Sequence, residues 1–183
     1  MVYYLQQFTT FPCMKLNLFL FAGLVLFGIT SCSRADQTST IQLSETFTLE
    51  GPLFEGSNPA QIVYPVNLSS LLGDKYHEGI SIAEAKLSSA KISALDSANL
   101  NGISSMVLSL AADNPELKML ELGVINPVKE GSAEVMLNPS LEADAGKYFL
   151  EKQFYIVLDV ALPADREENM ALKGEIEFTI KHN

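Results

Sequence analysis

The last dozen residues constrain this chain more than any others. Leu172, Gly174, Ile176, Phe178 and Ile180 alternate with Lys173, Glu175, Glu177, Thr179 and Lys181. Side chains along a strand point to opposite faces with a period of two, so this run is a β-strand with one wet and one buried face. A buried face of that length needs an opposing apolar layer, which has to come from elsewhere in the chain.

The same period recurs upstream. Ile41, Leu43, Phe47 and Leu49 alternate with Gln42, Ser44, Thr46 and Thr48, and Gly51-Pro52 ends the run. Ile62, Tyr64, Val66 and Leu68 alternate after the loop at 55–59, with Pro65 marking an edge strand or a bulge. Ala83 to Leu95 carries its apolar face first on Ala83, Ala85 and Leu87 and then on Ala90, Ile92 and Ala94. That slip of phase predicts a bulged strand. Its alanine, lysine and glutamate content would also suit a helix.

Further strands follow at Met106–Leu110, Leu117–Val124 and Ala133–Leu137, each ended by Asn-Pro or Asp-Asn-Pro. Residues 140–151 suggest one short helix, with Ser140 as cap and Leu141, Ala145, Tyr148 and Phe149 at helical spacing. Gln153 to Leu162 is apolar on both faces, as a central strand would be. About eight short strands with Pro, Gly and Asn punctuation predict an all-β chain folded as an antiparallel β-sandwich over residues 41–183.

The N-terminal segment reads differently. Leu18 to Ile29 is uncharged and apolar, with Lys15 before it and Ile29-Thr30-Ser31-Cys32 at its end. The run is shorter than the roughly 20 residues a spanning helix requires and has the length of a signal-peptide core. Ile29-Thr30-Ser31-Cys32 resembles the lipobox of bacterial lipoproteins: an aliphatic residue, two small residues that let the chain lie extended in a peptidase cleft, and a cysteine whose sulfur takes the lipid. The resemblance implies a signal peptide over 1–31, peptidase recognition through Ile29, Thr30 and Ser31, and lipidation at Cys32. Residues 32–40 are then the lipidated cysteine and a flexible tether. Met14-Lys15-Leu16-Asn17 has the form of a lipoprotein start, which points to initiation at Met14 and leaves Cys13 without a role.

The partner implied first is membrane lipid, through acylated Cys32. Ser33 follows that cysteine, so the aspartate that retains lipoproteins at the inner membrane of enteric bacteria is absent. No acidic cluster follows it. The expected location is the periplasmic face of the outer membrane, with surface exposure as the alternative.

The order of features after Cys32 carries a second resemblance. Tyr64-Pro65-Val66-Asn67-Leu68, the segment Ile80 to Ala90, the strand at Ser104 to Ala112, and a final pair of strands behind Tyr148-Phe149-Leu150 are together similar to small lipoproteins of Gram-negative bacteria with one immunoglobulin-like sandwich. The resemblance covers roughly residues 41–183. It implies a fold and a location, and carries no site residue across.

Chemistry is sparse. Lys15 is the only charged residue before Cys32, so the remainder is one unit more acidic than the whole-chain −10. Such a surface repels phosphate backbones, and no nucleic-acid partner is expected. The only cysteines, Cys13 and Cys32, both precede the domain, which rules out a disulfide framework or a thiolate metal site within it. His77 and His182 have no metal-ligand spacing, and each is read as structural or solvated. No Gly-x-Ser-x-Gly elbow and no phosphate-binding glycine loop occurs.

Asp165, Glu167, Glu168 and Asn169 offer oxygens to calcium without the spacing of a calcium loop, and are read as a solvated acidic turn. Tyr148, Phe149, Phe154 and Tyr155 are read as core rather than as a binding patch. No cofactor, no metal and no enzyme activity is expected. The leading expectation is a non-enzymatic binding or structural module with an unidentified envelope protein or glycan partner. The alternatives are a fimbria-like or adhesin assembly subunit, and an envelope hydrolase.

Overall fold

The computed structural model describes residues 37–95, 97 and 99–183. Two antiparallel sheets hold its nine strands: β1 (Gln37–Leu49), β2 (Gly56–Pro65), β3 (Ile82–Ala94), β4 (Ser105–Ala111), β5 (Leu120–Ile125), β6 (Glu134–Met136), β7 (Asn138–Pro139), β8 (Gln153–Leu162) and β9 (Met170–His182). One sheet runs in the order β1-β9-β3-β6 and the other β2-β8-β4-β5-β7. The expected antiparallel β-sandwich is therefore the observed fold.

Its strand order is that of a jelly roll. Strands pair as in a nested ribbon: β1 with β9, β2 with β8, β3 with β6, β4 with β5. Rolling that ribbon brings β3 against β9 and β4 against β8. An immunoglobulin sandwich keeps its first strand beside its second, whereas here the first lies beside the last. The immunoglobulin-like order implied by the family resemblance is corrected on this point. Alternation gives each strand a face but not a neighbour.

The terminal strand β9 is central, paired along its length by β1 on one side and β3 on the other. Its inward residues Leu172, Ile176, Phe178 and Ile180 are buried. Gly174 shares that face by alternation, and a Cβ there would sit 2.7 Å from the Phe47 ring. From the opposing sheet come Met106, Leu108, Leu110, Ile156 and Leu158, all fully buried. Phe149 joins the layers, with its ring centroid 5.3 Å from Phe154 of β8 and 5.3 Å from Phe178 of β9, both edge-on.

β3 is bulged as its phase slip predicts. The register skips Ser88, between Leu87↔Phe178 and Ser89↔Glu177. A second skip at Ala83 puts Ile82 and Ala85 inward and leaves Ala83 exposed, against the inward place expected for it.

Three boundaries are corrected. β1 begins at Gln37, so Gln37–Thr40 pair with β9 instead of forming tether. Leu68 does not extend β2. It opens a short helix, α1 (Leu68–Leu72), whose N-cap Asn67 accepts a hydrogen bond from the Ser70 N–H. The helix expected over 140–151 is a run of turns ending in a 3-10 turn at Tyr148–Leu150. Ala145 N–H donates to Ala85 C=O, and Asp144 Oδ1 accepts from the N–H groups of Ala85 and Gly146, which hold the segment against β3. Leu141, read onto the helix's apolar face, is 81% exposed.

Candidate functional site

The sandwich presents two broad outer faces of opposite chemistry. On the four-stranded sheet, the outward residues of β9 meet those of β1 and β3 in a ladder of ion pairs. Glu175 takes Lys173 at 2.7 Å and Lys91 at 2.6 Å, one on each carboxylate oxygen. Glu84 takes Lys181 at 2.5 Å and Lys86 at 2.9 Å. Gln42 donates to Glu177 at 3.0 Å, and the Ser88 and Thr179 hydroxyls share a hydrogen bond of 2.5 Å.

Hydrogen bonds from Lys173 and then Lys91 hold the Glu175 carboxyl down at about 2. The bond from Lys181, then that from Lys86, lowers Glu84. Lys86 and Lys91 are raised, chiefly by their bonds to Glu84 and Glu175 respectively. A shallow groove of about 580 Å³ crosses this face, bordered by Gln42, Ser44, Ser89, Lys91, Met136 and Glu177. Its charges are already matched to one another across the strands, so the groove offers a ligand little uncompensated field.

The outer face of the five-stranded sheet is mostly apolar and small. Cross-strand register places Val63, Tyr155 and Ala111 in one row, and Gln61, Val157, Ser109 and Glu121 in the next. Pro59, Asp159, Val107 and Val124 make a third row. Val63 and Met119 are 52% and 65% exposed. This is the second apolar face read in Gln153–Leu162, and here it faces outward. A depression of about 570 Å³ lies over it, lined by Ser57, Pro59, Val107, Met119, Val157 and Asp159. Ser57 Oγ donates to Asp159 at 2.7 Å. At the far end Tyr155 donates to Asp113 at 2.7 Å, a bond that raises its phenol.

The remaining candidates are structural. His182 is fully buried at the end of β9, with Nε2 2.8 Å from Ser39 Oγ. His77 Nε2 meets the Asn183 carbonyl at 2.7 Å. Asp165 accepts from Glu55 N–H at 2.7 Å and Asn169 from Gly51 N–H at 2.8 Å, so two of the possible calcium ligands instead hold the 51–55 loop. Glu168 lies 3.5 Å from Arg166 Nε. Among the described residues no group of three or more potential ligands is placed to hold a metal ion.

Tyr148, Phe149 and Phe154 are core, as expected. Tyr148 is buried by the body of its ring while its hydroxyl donates to the Lys118 carbonyl, and burial raises it. Tyr155 instead lies on the outer face. The Ser39–His182 pair went unseen in the sequence. Its only trace there is that Ser39 holds an inward position of β1. Ile29, Thr30, Ser31 and Cys32 lie outside the described residues.

No family model matches this sequence, and no curated protein matches it. Among solved structures, the chain is similar to the BFDV capsid protein in its 60-mer form, at 8% identity and a TM-score of 0.41, over 80% of this chain and 92% of that one. It is also similar to a structure described as carbohydrate-binding modules from the β-sandwich superfamily, at 11% identity and a TM-score of 0.32, over 76% of this chain and 54% of that one. What those proteins bind or build is theirs.

Proposed function

We propose that this chain is a lipoprotein precursor, cut before Cys32, whose sandwich serves as a non-enzymatic binding or structural module of the cell envelope. Its place is the periplasmic face of the outer membrane. The observation that carries the reading is the arrangement Lys15, apolar Leu18–Ile29, then Ile29-Thr30-Ser31-Cys32, with a folded strand starting at Gln37. Only residues 33–36 intervene, so the lipidated cysteine and the first ladder residue are separated by roughly 18 Å of chain at full extension. A sandwich so tethered works at the membrane surface, and two or three acyl chains at about 0.8 kcal/mol per buried CH₂ make the attachment close to permanent.

The non-enzymatic part is supported by how the reactive groups are occupied. Both histidines bond to structural partners, and the ladder acids Glu84 and Glu175 are held by lysines.

Growth with a labelled fatty acid tests the anchor: the mature protein should carry label and begin at residue 32. Label persisting in Cys32→Ala, or a different mature N-terminus, overturns it. A screen of envelope hydrolase substrates tests the rest, and one turnover reaction lost with a single outer-face substitution would refute the non-enzymatic reading. A specific feature favours the assembly-subunit alternative as a second reading: the unpaired edge of β1.

A further inference from the structure

We infer that the free edge of β1 pairs with β1 of a second copy of this chain, making one continuous eight-stranded sheet across a two-fold dimer. The described residues give the two sheets four edge strands, and three of these are blunted. β2 carries Pro59 and Pro65, β6 is 3 residues long, and β7 is 2 residues long and ends in Pro139. Prolines and short strands are the usual means of preventing edge-to-edge pairing. The fourth edge has neither. β1 runs for 13 residues with no proline, no glycine and no lysine, in unbroken register with β9.

Which backbone groups face outward follows from the far side of β9, where Leu95 N–H donates to Ala171 C=O. Ala171 turns its backbone groups to β3, so its β1 partner Thr48, and with it Thr38, whose carbonyl takes the Lys75 ammonium at 2.9 Å, turns its own away from β9. Backbone groups alternate sides along an antiparallel strand. Thr40, Gln42, Ser44, Thr46 and Thr48 therefore present their N–H and C=O groups on the same edge as Thr38. No strand of the described residues pairs with them.

The occupant is read from the sequence of the edge. Leu43 is the midpoint of β1, and the outward side chains are symmetric about it: Thr38 matches Thr48, Thr40 matches Thr46, and Gln42 matches Ser44. A two-fold axis at Leu43 sets threonine opposite threonine twice over, a favourable cross-strand pair. It also sets no like charges together, although the protein is strongly acidic. Glu45, the only charged residue of the strand, falls opposite Ile41 of the other copy and about 14 Å along the ladder from the other Glu45. Apart from Glu45 and the Lys75 ammonium at Thr38, this edge offers a charged foreign strand no countercharge. Lipid anchoring would raise the local concentration of copies. The pairing rests on the proposed function only for that enhancement.

The register makes the test specific. Opposed residues in an antiparallel ladder have Cα atoms about 5.5 Å apart, within disulfide range, whereas diagonal neighbours are too far apart. Full-length chains carrying Gln42→Cys and Ser44→Cys, purified from membranes in detergent and mixed under mild oxidation, should give about tenfold more disulfide-linked dimer than either alone. Wild type, run alongside, sets the background from Cys13 and Cys32.

Ser44→Pro removes an N–H that faces the open edge, so the β1–β9 ladder should survive while sedimentation changes from dimer to monomer. A monomeric wild type at all concentrations overturns the inference. So do equal cross-linking from each variant alone, open polymers, or capture of a different chain by Gln42→Cys. If the anchor reading alone fails, wild type carries no fatty-acid label, yet the mixed variants still cross-link at high concentration.

Discussion

Replacing Phe178 by alanine removes a ring from a fully enclosed position of the fold. Phe178 is fully buried on β9, with Ile41 of β1 and Leu87 of β3 as its ladder partners and Phe149 edge-on at 5.3 Å. Truncating such a residue costs about 3–5 kcal/mol, transfer and cavity together. Loss of the edge-on pair accounts for about 0.5–1.5 kcal/mol and places this site toward the upper end. Because neighbours on both sides belong to ladders, the backbone has little freedom to collapse into the space. Total stabilities of domains are about 5–15 kcal/mol, so the variant should be near the limit of folding. Glu177→Ala is the control: its side chain faces outward and accepts one bond, from Gln42. It should cost under about 0.5 kcal/mol. Urea melts of both variants decide the matter through the midpoint at constant slope. Equal small losses would mean that the apolar face of β9 is not enclosed, and would refute the two-layer packing.

Three further outcomes follow from the same contacts. Gly174→Ala should destabilise by about 1–3 kcal/mol, because the added methyl meets the Phe47 ring; combined with Phe47→Leu, the loss should be less than the sum of the two single losses in urea melts. Ser39→Ala removes the partner of His182 Nε2 at a buried site and should cost about 1–3 kcal/mol, visible in the same melts. The Glu175 carboxyl, held at about 2 against an ordinary 4.5, favours the fold while ionised. That contribution is complete above about 4.5 and is lost as pH falls through about 2. An NMR titration should place the midpoint near 2, and Lys173→Met should raise it.

What could be read in advance divides along a physical line. Apart from Ala83 on β3, the face of each strand was legible, because burial on one side of a pleated strand imposes a period of two wherever it occurs. β9 shows it without interruption, and in β3 even the bulge at Ser88 left a phase slip between Leu87 and Ala90. Partnership between strands was not legible, because the same alternation serves any neighbour. The jelly-roll order is fixed by contacts such as Gln37 with His182, which local pattern cannot reveal. Elements of only a few residues escaped for a different reason. α1 spans 5 residues, too few to display a helical period, and only the Asn67-Leu68-Ser69-Ser70 cap betrays it. Residues 140–151 carry helical spacing, yet Ala145 N–H donates to the Ala85 carbonyl and Asp144 accepts from the Ala85 N–H, a tertiary pull that propensity does not register. Of the candidate chemistry, the proposed targeting segment was read in the sequence and lies outside the described residues. The contrast between a charge-paired face and an apolar face became visible only once register had aligned the rows.

The topology gives the two ends of the domain a common fate. β9 is the last in order of the nine described strands, yet it is the shared neighbour of β1 and β3, so neither has its ladder before β9 is in place. Pairing at such sequence separation carries a large loop-closure cost before any contact is gained, which makes late and cooperative closure of this sheet the expected course. The consequence falls on β1. It follows the proposed anchor after residues 33–36, and once β9 has clamped one side of it, its other side is the one long edge strand without proline among the described residues. A strand held in this way is rigid and needs little further ordering to accept a partner, so pairing at that edge would forfeit less entropy than pairing of a free segment. The arrangement that completes the fold is thus the one that leaves the outer edge of β1 open among the described residues.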